Sequence, residues 1–194
     1  MAGNSHDLGQ FLARRAERIG GRSYAFVRWH WLGIINFHLF VFVTGAPVAP
    51  LLWYLNQDWM SKMVYAFYGL FCHQKASRSF FLLENQVAIC ARCLSFYCSL
   101  LFLSLWTSLR RLRPIDLKLA LILIAPAALD VLSQTLRLRE STNLLRVTTG
   151  ALLGMSAGLY LLPRAKKAME HLPDEVEHVR VRHLGGTKVG NHSR

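Results

Sequence analysis

The chain has 194 residues, 53% of them hydrophobic and 18% charged, and its 23 Lys and Arg against 11 Asp and Glu leave a net charge of +12 at pH 7. This length suits one domain, and so apolar a composition excludes global disorder and points to a membrane protein. A pI near 10.2 would also suit a nucleic-acid binder, so the placement of the basic residues must decide.

Residues 1–32 mix Arg14, Arg15, Arg18, Arg22 and Arg28 with Asp7 and Glu17, a pattern unlike a secretory signal peptide. Leu8, Phe11, Leu12, Ala16 and Ile19 share one helical face away from Arg14, Arg15 and Arg18. This predicts an amphipathic helix on the membrane surface, within a cytoplasmic arm. The first membrane span is predicted over 33–55, which holds no charged residue. Pro47 and Pro50 should break or kink its second half, provided neighbours satisfy the freed carbonyls. Residues 63–71 are apolar and aromatic but too few to cross, and are expected as an interfacial or re-entrant helix. The second span is predicted over 94–109, extended at its start by 87–93 with Arg92 as the only charge. The third covers 119–136, interrupted by Asp130, and the fourth 144–162, interrupted by Arg146. The fold class is thus all-α and polytopic: one four-span domain over 33–162, then a polar tail over 163–194 expected to lack regular structure.

Orientation follows from basic residues near the span ends. One side carries the five arginines of the arm, Arg110, Arg111, Arg113 and Lys118, then Arg164, Lys166 and Lys167. The other carries Lys62, Lys75, Arg78, Arg137 and Arg139. Both termini are therefore expected in the cytoplasm, in the inner (cytoplasmic) membrane. Trp29 and Trp31 at one boundary of the first span, and Trp53, Tyr54 and Trp59 at the other, suit interfacial belts. The basic excess is then mostly topological, the partner is the lipid bilayer, and no nucleic acid is expected.

The unusual residues converge on the opposite side: Cys72, His73 and Gln74, then Cys90 and Cys93, then Asp130 and Gln134, then the segment from Arg139 to Arg146. Polar groups at one membrane level from four separated segments make a site the better explanation. Cys90 and Cys93 read as two thiols on one helix face with Tyr97 beyond them. With Cys72 and His73 they form a ligand set suited to tetrahedral zinc, although a disulfide or plain packing of small thiols fits the same spacing. Cys98 reads as an inert core thiol. Asp130 in a span needs a cation, for which Arg146 is the expected partner, while Arg92 should point away, toward headgroups or Glu140. Gly150, Gly154 and Gly158 form a close-packing face, and Asn36 and His38 read as interhelical hydrogen-bonding groups.

The ordered blocks Cys72-His73-Gln74, Arg78-Ser79-Phe80, Cys90-Ala91-Arg92-Cys93 with Tyr97, Asp130 with Gln134, and Arg139-Glu140-Ser141-Thr142-Asn143 with Arg146 and Gly150 resemble an uncharacterised prokaryotic membrane-protein family, domain of unknown function 2085. The resemblance covers about residues 60–160 and implies that the blocks form one unit, but brings no reaction. Two departures stand out. The family often has a small residue pair where this chain has Leu94 and Ser95, and a His where it has Glu84, Asn85 and Gln86. That leaves His73 as the lone imidazole.

The leading reading is a membrane protein with a Cys/His site, with zinc as cofactor, beside a polar pocket of Gln74, Arg78, Arg92, Tyr97, Asp130, Gln134, Arg139, Asn143 and Arg146. Were the pocket catalytic, Asp130 or Glu140 would be the base and an arginine would hold an anion such as a lipid phosphate. No HExxH or GxSxG motif is present. The alternatives are a noncatalytic subunit or assembly factor of a larger membrane complex, and a thiol-disulfide redox protein.

Overall fold

A computed structural model of the chain describes Phe26 and residues 30–185, with side chains as far as Glu170. The expected amphipathic helix of the N-terminal arm, and Trp29, lie outside the described residues.

Four helical segments are long and apolar enough to cross a membrane: His30–Tyr54, Ala91–Leu109, Leu117–Thr135 and Asn143–Glu170. The first is two helices, α1 over 30–45 and α2 over Val48–Tyr54, parted at Ala46 and Pro47. Pro50 has no N–H for the carbonyl of Ala46, four residues back, and the N–H of Ala88 takes that place at 3.3 Å. The final helix, α6 (Asn143–Gly185), solves the same problem. Its Pro163 frees the carbonyl of Leu159, which accepts the N–H of Ile115 at 3.4 Å. The prolines thus tie spans to neighbouring segments. Residues 163–185, expected as an irregular tail, instead continue α6, with Pro163 and Pro173 both inside the helix.

Helix α3 (Asp58–Gly69) contains most of the expected interfacial segment but starts earlier; at ~18 Å it is too short to cross. It lies against α2, with Ser61 Oγ donating to the Ala49 carbonyl at 2.8 Å and Tyr68 OH to the Phe42 carbonyl of α1 at 2.6 Å. After a 3-10 turn at Ala76–Arg78, strands β1 (Ser79–Leu82) and β2 (Asn85–Cys90) pair antiparallel, with Phe81 opposite Gln86 and Leu82 opposite Asn85. This hairpin corrects part of the expectation that 87–93 extend the second span: 91–93 do extend it, while 87–90 belong to β2. Its turn residues Leu83 and Glu84 both have positive φ (51° and 64°), the hand a two-residue hairpin requires, though neither is Gly or Asn. Asn85 braces the turn by donating to the Leu83 carbonyl at 2.8 Å. Val87, Ala88 and Ile89 are buried with Ala46, Ala49, Tyr68 and Cys72 in one core.

Helices α4 (Ala91–Leu109) and α5 (Leu117–Thr135) flank α6. A Cβ added at Gly150 would lie 2.3 Å from the Arg92 carbonyl, and one at Gly154 2.4 Å from the Phe96 carbonyl. The small-residue stripe therefore sets a close α4–α6 approach. Burial is inverted relative to a water-soluble bundle: Ser95, Ser104, Thr107, Thr149 and Ser156 are buried, while Phe40, Phe102, Leu105, Ile122, Leu129 and Leu161 are exposed. That is the pattern of helices whose outer faces meet hydrocarbon. Asn36 bonds across helices to Ser108 at 2.9 Å, as expected. His38 instead contacts the Ile34 carbonyl of its own helix, one turn back, at 2.7 Å. Cys98 is exposed on α4 rather than in the core. At the far end of the bundle Lys166 Nζ donates to the Thr107 carbonyl at 2.8 Å and Arg164 to Ile115 at 2.9 Å. These basic residues satisfy backbone carbonyls at the end of α4 and in the loop after it.

Candidate metal centre and its arginine-lined pocket

Three thiols converge at the other end. The sulfurs of Cys72, Cys90 and Cys93 all lie within 4.8 Å of one another, and all are free thiols. Each comes from a different element. Cys72 follows α3, Cys90 ends β2, and Cys93 sits in the first turn of α4. The expectation of two thiols on one helix face is corrected: Cys90 is extended (φ −71°, ψ 159°) and precedes the helix. Its N–H donates to Cys72 Sγ at 3.3 Å. Hydrogen bonds from the Cys90 and Cys93 thiols, then from the backbone N–H groups of Gln74 and Cys90, hold the Cys72 thiol well below its ordinary range despite burial.

Gln74 positions this knot. Its φ of 47° turns the chain just after Cys72 and His73, and its amide donates to the carbonyls of Tyr65 (2.7 Å) and Ala88 (2.9 Å). Gln86 returns the clamp, donating to the Gln74 carbonyl at 2.6 Å and to Ser79 Oγ at 3.2 Å. Tyr65 OH donates to the Gln86 carbonyl, and burial raises the Tyr65 phenol above its ordinary value. His73 is exposed and stands outside the thiol group, lining the same cavity of about 320 Å³ with Lys75, Arg78, Arg92 and Arg146. Tyr97 packs on Phe42 (ring centroids 4.5 Å apart) rather than reaching polar partners.

Asp130, 2% exposed, is the hub of the polar residues. Arg92 bonds its Oδ2, Arg139 its Oδ1 at 3.1 Å, and Gln134 and Ser141 its Oδ2 at 2.9 and 3.2 Å. The expected pairings are corrected: among the described residues the ion pairs of Asp130 are with Arg92 and Arg139, not Arg146, and Arg92 pairs with Asp130 rather than Glu140. The cause lies in α4, which begins at Ala91, so the helix phase deduced from Cys90 does not apply and Arg92 faces α5. Four donors thus engage the Asp130 carboxylate, two of them the guanidinium groups of Arg92 and Arg139 for which it is the counter-ion.

Thr142 caps α6, its hydroxyl accepting the Leu145 N–H at 3.3 Å and its carbonyl the Arg146 N–H at 3.0 Å. One turn in, Arg146 Nη1 donates to the Ser77 carbonyl (3.0 Å) and Asn143 Oδ1 (3.1 Å), locking α6 to the 3-10 turn. Ser77, Gln86, Arg137 and Ser141 join the site although none of them was expected as a pocket or ligand residue. Ser141 lay within a quoted block, but the Ser77 contact runs through a backbone carbonyl that no motif shows. Glu140 is exposed beside a second cavity of about 490 Å³, walled also by Ser77, Arg78, Gln134, Arg137, Arg139, Ser141 and Arg146.

Residues 72–160, which hold the three cysteines and the arginine–aspartate cluster, match the family described as "Predicted membrane protein (DUF2085)". An uncharacterized protein of Methanocaldococcus jannaschii is 32% identical over 147 residues, 70% of this chain and 92% of that protein. The chain belongs to this family. A second uncharacterized archaeal protein, from Methanothermobacter thermautotrophicus, is 32% identical over 103 residues, 52% of this chain and 88% of its own. No solved structure matches the chain. As a family member with four spanning segments, the protein is a multi-pass membrane protein whose three-cysteine group can hold a metal ion.

Proposed function

We propose that this membrane protein holds zinc through Cys72, Cys90 and Cys93 at the end of the bundle remote from Arg110, Lys118 and Lys166, on the extracytoplasmic side of the inner membrane, with both termini cytoplasmic. The convergence of three sulfurs within 4.8 Å from three elements carries the reading. Tetrahedral zinc with bonds of about 2.3 Å spaces its sulfurs about 3.8 Å apart, which falls within that bound. Three thiolates and a divalent ion carry net negative charge, and Lys75, Arg78, Arg92 and Arg146 around the same cavity supply the opposite sign. His73, at the same cavity, or a water, would take the fourth position. The metal would pin the loop after α3, the end of β2 and the start of α4 together beside the Asp/Arg/Glu pocket.

The experiment is metal analysis of protein purified without chelators, expecting one zinc per chain and loss in Cys72→Ser, Cys90→Ser and Cys93→Ser. Absence of stoichiometric metal from the wild-type protein would sink the reading. Three free thiols within 4.8 Å of one another also favour a second reading, thiol-disulfide exchange. Alkylation before and after reduction tests it, and an unchanged count of accessible thiols refutes it.

A further inference from the structure

We propose that the cavity between the 3-10 turn, the end of α5 and the start of α6 binds a phosphate group. It takes the polar pocket of the proposed function as its starting point but needs no metal. Arg78, Arg137, Arg139 and Arg146 wall the cavity, against Glu140 as the one carboxylate among its wall residues. Asp130 behind it is shared between Arg139 and Arg92. Five guanidinium groups thus meet two carboxylates, an excess of three positive charges before the single net negative charge of a zinc–thiolate centre, which Arg78, Arg92 and Arg146 also face, is set against it.

Arg146 makes the excess consequential. It is 5% exposed, its Nε is buried without a partner, and among the described residues no carboxylate lies within ion-pair distance of it. Asp130 attracts Arg146 only at longer range while Arg78 and Arg92 repel it, so a buried cation without a direct ion pair is unfavourable here, and an anion in the cavity would lower that penalty. Helix α6 also opens here, with Ser141 at the cavity wall and Thr142 as its cap, so the positive end of its dipole adds to the guanidinium field. Arg78 and Arg137 carry no ion pair among the described residues and are available to a ligand.

A carboxylate would neutralise one charge of the three; a phosphate offers up to two charges and several oxygens to planar guanidinium forks. At about 490 Å³ the cavity has the size of a small-molecule site, roughly 300–1,000 Å³, and leaves room for whatever the phosphate is attached to. The same chemistry can come from the headgroup of an anionic lipid or from a free phosphate in water.

The test uses full-length protein in neutral detergent, read by thermal unfolding. One arm titrates inorganic phosphate and pyrophosphate against sodium chloride at matched ionic strength. The other titrates phosphatidic acid against phosphatidylcholine in mixed micelles. We expect a saturable rise in midpoint of about 5–10 °C at roughly hundredfold excess over the dissociation constant in at least one arm. The soluble arm responding identifies free phosphate, the lipid arm alone a headgroup. Because Arg146 also holds Ser77, the decisive variant is R78Q/R137Q, which breaks no ion pair and should weaken binding at least about tenfold. No saturable response in either arm, or an R78Q/R137Q protein that binds like wild type, overturns the proposal. Zinc content measured on the same preparations keeps a failure here distinct from failure of the metal reading.

Discussion

Replacing Asp130 with Ala removes the charge on which two arginines and two neutral donors converge. Asp130 is 2% exposed and Arg92 only 20%, and Arg92 Nε already lacks a partner. The substitution leaves that guanidinium enclosed with no counter-ion, for which removal of one member of a buried pair costs about 3–5 kcal/mol. Arg139 is 53% exposed, so water replaces most of what it loses, and Arg139→Ala should cost no more than about 1 kcal/mol. Removing both charges should recover most of the loss, because apolar replacement of a buried pair is often neutral. The assay is reversible unfolding by sodium dodecyl sulfate in mixed micelles for Asp130→Ala, Arg139→Ala and the pair Arg92→Met with Asp130→Leu. If Asp130→Ala falls within about 1 kcal/mol of wild type, or if the double variant is no more stable than Asp130→Ala, the buried-hub account is wrong.

Gly150→Ala places a methyl 2.3 Å from the Arg92 carbonyl, so α4 and α6 must separate by about 1 Å to reach ordinary contact. A loss of about 1–3 kcal/mol is expected in the same unfolding assay, against none for Gly33→Ala, where nothing lies within 4 Å. Gln74→Ala deprives the Tyr65 and Ala88 carbonyls of their donor and should destabilise by about 2–4 kcal/mol, with Cys72 becoming faster to alkylate. Equal alkylation rates in the variant and wild type would show that Gln74 does not hold the thiol knot closed.

Much of this was legible along the chain because the bilayer imposes a one-dimensional rule: about 20 apolar residues per crossing, with satisfied backbone groups. All four spans, the break at Pro47 and Pro50, and the Gly150 to Gly158 stripe follow from it. So did the convergence of the motif blocks, since span lengths dictate which residues share a membrane level. The β1–β2 hairpin escaped because Leu83 and Glu84 carry none of the usual turn chemistry, and Asn85 props the turn through a side chain. That one miss propagated. Taking Cys90 as helical gave Arg92 the wrong phase and left Arg146 as the apparent partner of Asp130.

By itself the sequence determined the class of protein, the number of segments able to cross a membrane and the end of the bundle at which the unusual residues gather, because hydropathy and span length act locally. Only the tertiary structure decided which of them touch. Cys72 meets Cys90 because Gln74 and Gln86 fold a loop onto a strand, and Asp130 chooses Arg92 and Arg139 through the phase of a helix that starts one residue after a strand ends. Such pairings depend on rotations of about 100° per helical residue, and a shift of one residue at an element boundary redirects every side chain beyond it.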